Sequence, residues 1–140
     1  MARRLMLSTL VFASLAVGAS QTSSAPPDEC RFMTMIRLVA DPGRYEGQLL
    51  CVIGVAHFGA EESALYLSRE HAELVSGVDA VWMDVKADEG LSGEFVSAKG
   101  RFTAKKHGHL GIFSGELEHV SELKRVWTRR DRERRDGTSQ

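Results

Sequence analysis

The sequence contains few of the residue patterns that mark enzymes. Ser68 and Ser114 both lie outside the Gly-x-Ser-x-Gly context of a serine nucleophile. Glu70-His71 lacks the second histidine that would make a zinc-binding helix. The acidic pairs of the chain fall in predicted loops, where their separation across a cleft is not defined. These absences disfavour catalysis and predict no cofactor.

Cysteine is also scarce, with only Cys30 and Cys51 in 140 residues. In an oxidising compartment an even pair often closes a disulfide. The alternative is that Cys51, in an apolar segment, is a small buried hydrophobic residue. The sequence leaves both alternatives open.

Long apolar runs are absent except at the start of the chain. Arg3 and Arg4 precede an apolar run, 5–17, which is shorter than the roughly 20 residues that cross a membrane as a helix. Small residues follow, so residues 1–25 are predicted to be a signal peptide cleaved after Ala19 or Ala25. A retained anchor helix is the alternative. Cleavage predicts a periplasmic or secreted protein with no stable membrane span.

Positive charge is scarce in the body of the chain. Residues 26–128 have 11 basic and 16 acidic residues, a formal charge of −5. Phosphate backbones are bound by lysine and arginine, so this body is expected to exclude nucleic acid as a partner. The tail, residues 128–140, alternates arginine with acidic residues and is predicted to be disordered.

Between a linker (26–31) and this tail, residues 32–127 are predicted to form one β-rich domain. An apolar pattern over 32–40 predicts a short helix, and Ser68 is a predicted N-cap of a helical turn. Period-two alternation places Val96, Ala98, Gly100 and Phe102 on one face of a strand. The predicted strands are 48–58, bent at Gly54, and then 64–67, 80–85, 95–103 and 109–117.

Three segments resemble a known fold. Tyr45-Glu-Gly47-Gln-Leu-Leu50-Cys-Val52-Ile-Gly54 resembles the first strand of OB-fold domains, and Val96-x-Ala98-x-Gly100-x-Phe102 resembles the fourth. The stretch from Gly108 to Gly115 resembles the last strand of small, uncharacterised exported OB-fold-like proteins of Gram-negative bacteria. The resemblance implies a mainly β, five-stranded OB-like barrel with a short N-terminal helix and one or two helical turns. It carries no catalytic signature.

Four side chains are candidates for a binding surface. Tyr66 and Trp82 are aromatic, Lys99 and Arg101 share the outward face of one strand, and such residues are common interface anchors. They predict a non-catalytic exported module that binds a protein partner or an envelope component through its sheet face. The alternative is that Trp82 is covered by the N-terminal helix as part of a second small core.

A metal-dependent or hydrolytic enzyme is the second functional hypothesis. On a strand, His107 and His109 would point to the same face and share a metal, with Asp84 as one possible third ligand. The neighbouring Lys105 and Lys106 oppose a cation. The other interpretation of the segment is a solvated loop.

Overall fold

The computed structural model describes residues 29–137, so the predicted signal peptide and residues 26–28 of the predicted linker lie outside the described residues. No helix within that range is long and apolar enough to cross a membrane. Six strands and three α-helices are present there: β1 Arg31–Thr34, α1 Met35–Ala40, β2 Leu49–Gly59, β3 Glu62–Tyr66, α2 Arg69–Glu73, β4 Ala80–Met83, β5 Phe95–Thr103, β6 Glu116–Arg125 and α3 Arg129–Gly137.

Five of the strands pair in a closed circuit. The order runs β2-β3-β4-β6-β5, and β5 pairs again with β2. Within the circuit only β4 and β6 run parallel; the other pairs are antiparallel. This order is the OB-like arrangement that the sequence predicts, and closure leaves no exposed edge among these five strands.

The long strand β2 closes the circuit because it serves two neighbours. Its first part, Leu49–Val55, pairs with β5, and its second part, Val55–Gly59, pairs with β3. Gly54 lies at the changeover, where an added Cβ would be 2.9 Å from both the Cγ of Met35 and the carbonyl oxygen of Tyr66. The bend predicted at Gly54 therefore coincides with a close approach that only glycine permits.

The interior of the circuit is filled by alternating side chains. Val96, Ala98 and Phe102 of β5 are fully buried, as period-two alternation predicts. They pack with Leu50 and Val52 of β2, Leu65 of β3, Val81 and Met83 of β4, and Leu117 of β6. Met35 and Leu38 of α1 join the same core.

The N-terminal part of the domain differs from the prediction of one helix over 32–40. Residues 31–34 form β1, which pairs parallel with Leu50–Ile53 of β2, and α1 begins only at Met35. A disulfide joins Cys30 to Cys51, with the two Cα atoms 5.5 Å apart. This link holds β1 beside β2, because Cys51 itself lies opposite Phe32 in the strand register.

The predicted last strand, 109–117, is wrong in position. Gly108 (φ 61°), Leu110 (φ 64°) and Gly111 (φ 69°) all have left-handed backbone conformations, which interrupt an extended chain. The strand β6 begins instead at Glu116 and continues to Arg125. Residues 104–115 therefore form a long loop between β5 and β6.

The C-terminal tail is helical over Arg129–Gly137, where the sequence predicts disorder. Asp131 accepts hydrogen bonds from the N–H and the hydroxyl of Thr128, at 2.9 and 2.6 Å. Arg129 and Glu133, four residues apart, form an ion pair at 3.0 Å. These local contacts favour a helix without an apolar face, which explains why hydrophobic periodicity did not predict it.

Candidate binding pocket on strand β4

Tyr66 does not contribute to a binding surface. Its side chain is fully buried against Ala64, Ala80 and Phe113, on the outer side of β3 and β4. The phenol donates a hydrogen bond to the carboxylate of Glu62. Burial and this carboxylate raise the pKa of Tyr66 well above its ordinary value. The prediction that Tyr66 faces a partner is wrong.

Trp82 lies on the outer face of β4 and is partly covered. The cover is the β5–β6 loop, whereas the sequence suggested the N-terminal helix as the alternative to exposure. The indole packs on Phe113, with ring centroids 5.3 Å apart, and on His109, at 6.5 Å. Gly108 passes so close that a Cβ there would lie 2.7 Å from the Cγ of Trp82.

Lys99 and Arg101 lie on β5, and β6 separates them from the strand that carries Trp82. The guanidinium of Arg101 donates a hydrogen bond to the carbonyl of Gly47. The aromatic and cationic residues therefore do not form the single surface that the sequence predicts.

His107, His109 and Asp84 are not assembled into one centre. The Nδ1 of His107 lies 2.8 Å from the carbonyl oxygen of Phe113, whereas His109 pairs with Glu61 at 3.5 Å. Both histidines belong to the β5–β6 loop, so the strand geometry that would align them is missing. Within residues 29–137, no three histidine, cysteine or acidic side chains are grouped so as to hold a metal ion.

A cavity of about 240 Å³ opens beside Trp82 and is called here the β4 pocket. Its walls come from the β2–β3 turn, the segment after α2, strand β4 and the β5–β6 loop. The lining residues are Gly59, Ala60, Glu61, Glu62, Val75, Trp82, His109, Leu110, Ile112 and Phe113. In OB-folds, the corresponding strand face and loops form the ligand-binding region.

Two apolar side chains at this pocket are held by unusual backbone conformations. Val75 has φ 52° and Leu110 has φ 64°. Left-handed conformations are rare for bulky residues and genuine outliers for β-branched ones. Yet Val75 is 56 % exposed and Leu110 is 79 % exposed, so burial in the core does not explain the strain. Strained residues of this kind cluster at binding and catalytic sites.

The charge at the β4 pocket is negative. Glu61 and Glu62 are the acidic side chains of its lining, and neither lysine nor arginine lines it. His109 lies 3.5 Å from Glu61, and His57 lies 4.0 Å from Glu62. Sequence reasoning missed Leu110 and Ile112 because it placed both in a strand. It assigned no role to Val75. The signal available in the sequence was the position of Leu110 between two glycines, Gly108 and Gly111, because glycine is the usual residue where a chain turns.

A second group of charges lies on the outer face beyond Trp82. Lys106 pairs with Glu118 at 2.6 Å, and Glu116 and Asp84 are close enough to act on it electrostatically. The hydrogen bond to Glu118 raises the pKa of Lys106. Partial burial raises the pKa of Glu116. This group anchors the start of the β5–β6 loop to β6.

Comparison with known proteins adds little to this geometry. No protein-family model and no curated protein matches the chain. One solved structure, the crystal structure of the S. pombe Stn1-ten1 complex, is similar over 81 % of this chain and 92 % of that chain, with 16 % identity and a TM-score of 0.43. A likeness this weak carries no argument about function.

The prediction that the acidic body excludes nucleic acid as a partner is nevertheless wrong. The five-stranded OB-like arrangement binds oligonucleotides through the same strand face and loops in other proteins. A formal charge of −5 averaged over the body does not describe the local surface, so it does not remove this class of ligand.

Proposed function

We propose that this domain is a non-catalytic binding module that engages a protein partner through the β4 pocket. The observation that carries the proposal is the strained, exposed presentation of Val75 and Leu110 at the mouth of the pocket. Backbone strain of this type costs about 1–3 kcal/mol at each residue and persists where the surrounding structure imposes it. Contact with a partner would bury these two side chains, which are exposed in the isolated domain.

The size of the pocket indicates what enters it. A cavity of about 240 Å³ is smaller than the roughly 300–1,000 Å³ of pockets that hold drug-sized ligands. It accommodates one or two apolar side chains beside Trp82. The carboxylates of Glu61 and Glu62 then favour a lysine or arginine next to that apolar anchor. The expected partner segment therefore combines an apolar residue with an adjacent basic residue.

A displayed library of random peptides tests this chemistry directly. Selection on the full chain is expected to enrich an apolar residue adjacent to lysine or arginine. Leu110→Asn is expected to weaken the selected peptides at least tenfold, because it removes an apolar contact and leaves the backbone in place. The control is Phe32→Asn, which removes a 74 % exposed apolar side chain from β1, away from the pocket.

Equal binding by the wild-type and Leu110→Asn proteins would contradict the proposed site. A single-stranded oligonucleotide that displaces the peptides and contacts Trp82 would contradict the proposed partner class and assign the pocket to nucleic acid. Chemical-shift mapping on the isotope-labelled protein distinguishes these results, because it identifies the residues that each ligand contacts.

We further propose that the protein acts outside the cytoplasm. The charged start, the apolar run over 5–17 and the small residues after it support export. The disulfide between Cys30 and Cys51 is typical of an oxidising compartment. Intact-mass measurement of protein recovered from the periplasm tests the proposal. The expected mass lacks residues 1–19 or 1–25, and a mass that includes them would refute export with cleavage.

A further inference from the structure

The join between β6 and α3 contains a second cavity with the opposite charge. It is lined by Arg125, Trp127, Asp131, Arg134 and Arg135, and is called here the arginine pocket. The guanidinium carbon of Arg125 lies 4.7 Å from the centroid of the Trp127 ring, and that of Arg135 lies 5.1 Å away. The half-exposed indole of Trp127 therefore contacts one guanidinium group from β6 and one from α3.

The arrangement holds these arginines in place. Stacking on Trp127 orients the guanidinium groups and costs them little of their hydration. Glu94 pairs with Arg125 at 3.0 Å from the β5 side. Asp131, in the first turn of α3, already accepts hydrogen bonds from Thr128 just before the helix, and these bonds lower its pKa. Its carboxylate oxygens are therefore partly used before a ligand arrives.

The surroundings of the pocket are basic, unlike the rest of the domain. From Lys124 to Gly137 the chain has seven basic residues and three acidic ones. Arg130 and Arg132 are exposed on α3 and add to the field of the pocket. An anionic surface that approaches from this end therefore meets the arginines of α3 first.

We infer that the arginine pocket binds the phosphate group of an anionic phospholipid headgroup at a membrane surface. Guanidinium groups present paired N–H donors that match phosphate oxygens. Basic residues close to an anionic membrane are attracted to its surface charge. An indole with one apolar edge and one wet edge is common at such interfaces. Guanidinium groups already stack on Trp127, which favours phosphate over a nucleic-acid base as the ligand.

Vesicle co-sedimentation of the full chain tests the inference. The readout is the ratio of the partition coefficients for phosphatidylglycerol-containing and phosphatidylcholine vesicles, so that contributions common to both vesicles cancel. The double variant Arg125→Gln/Arg135→Gln is expected to lower this ratio at least tenfold. The control Arg37→Gln/Arg44→Gln removes the same charge from α1 and from the segment between α1 and β2, neither of which lines the arginine pocket, and is expected to lower the ratio less than threefold.

A second pair of substitutions separates pocket geometry from net charge. Arg125→Lys/Arg135→Lys keeps both charges but removes the paired donors, and is expected to lose most of the preference for phosphatidylglycerol. The inference would be overturned if the lysine variant kept that preference or if the control lost as much of it as the glutamine variant. It would also be overturned if the wild-type protein showed no preference. Displacement of the vesicles by a single-stranded oligonucleotide would overturn it in favour of nucleic acid. Unchanged thermal unfolding confirms that each variant is folded.

Discussion

Leu110 offers a test in which stability and binding move in opposite directions. Its backbone has φ 64°, which costs a residue with a Cβ roughly 1–2 kcal/mol relative to the right-handed region. Its side chain is 79 % exposed. Full burial of a leucine side chain stabilises a protein by about 1.5–3 kcal/mol. The contacts of the remaining fifth therefore contribute roughly 0.3–0.6 kcal/mol.

The strain at Leu110 is thus larger than the stabilisation from its contacts. Asparagine adopts the left-handed region more readily than leucine, so Leu110→Asn is expected to raise the free energy of unfolding by about 1 kcal/mol. For a domain of this size the corresponding rise in the melting temperature is about 4 °C. Urea unfolding followed by tryptophan fluorescence measures the change. The same variant is expected to lose peptide affinity.

The matched control is Leu74→Asn. Leu74 is 78 % exposed, nearly the same as Leu110, but its φ of −80° is ordinary. This substitution relieves no strain, so its free energy of unfolding is expected to stay within about 0.5 kcal/mol of the wild type. A loss of stability in Leu110→Asn, or equal changes in the two variants, would refute the reasoning that strain is stored at the pocket.

Three further predictions concern the rest of the domain. Phe102→Ala is expected to cost about 3–5 kcal/mol in denaturant melts, because Phe102 is fully buried in the core; a cost near 1 kcal/mol would contradict the packing described. Reduction of the disulfide between Cys30 and Cys51 is expected to cost about 3 kcal/mol, measured by urea unfolding with and without reductant, and two reactive thiols in the unreduced protein would contradict the bond. Glu46 accepts hydrogen bonds from the N–H of Ala104 and from Thr103, which lower its pKa from the ordinary 4.5, so it stabilises the fold above pH 4.5 and this contribution is lost as the pH falls through the folded pKa. The difference in unfolding free energy between the wild type and Glu46→Gln is therefore expected to shrink below pH 4.5, and a constant difference would contradict this role.

Much of the circuit of strands could be predicted because its signals are local. The alternation over 95–103 follows from one face lying in the core, and Gly54 marks the point at which β2 changes partner. The predicted N-cap at Ser68 is also confirmed, since its hydroxyl accepts a hydrogen bond from the N–H of His71 at 3.4 Å. The sequence signal for each of these features lies within one short stretch of the chain.

The features that failed depend on distant partners. Residues 31–34 have an apolar pattern that suits a helix, yet pairing with β2 makes them a strand. The β5–β6 loop has alternating apolar residues, but its left-handed backbone at residues 108, 110 and 111 is not visible in composition. Tyr66 and Trp82 were chosen by residue type, and only the fold shows that the loop buries one and half-covers the other.

The two cavities together suggest how a small domain of this charge is oriented. The β4 pocket is apolar with a carboxylate rim, and the arginine pocket is cationic and lies at the junction of β6 with α3. The closed strand circuit fixes the β4 pocket, because the loops that line the pocket connect strands that pair within the circuit. The arginine pocket depends instead on one helix held by Thr128, Asp131 and Trp127. Contact of α3 with an anionic surface would turn the acidic body away from that surface, and so leave the β4 pocket open to a basic partner segment.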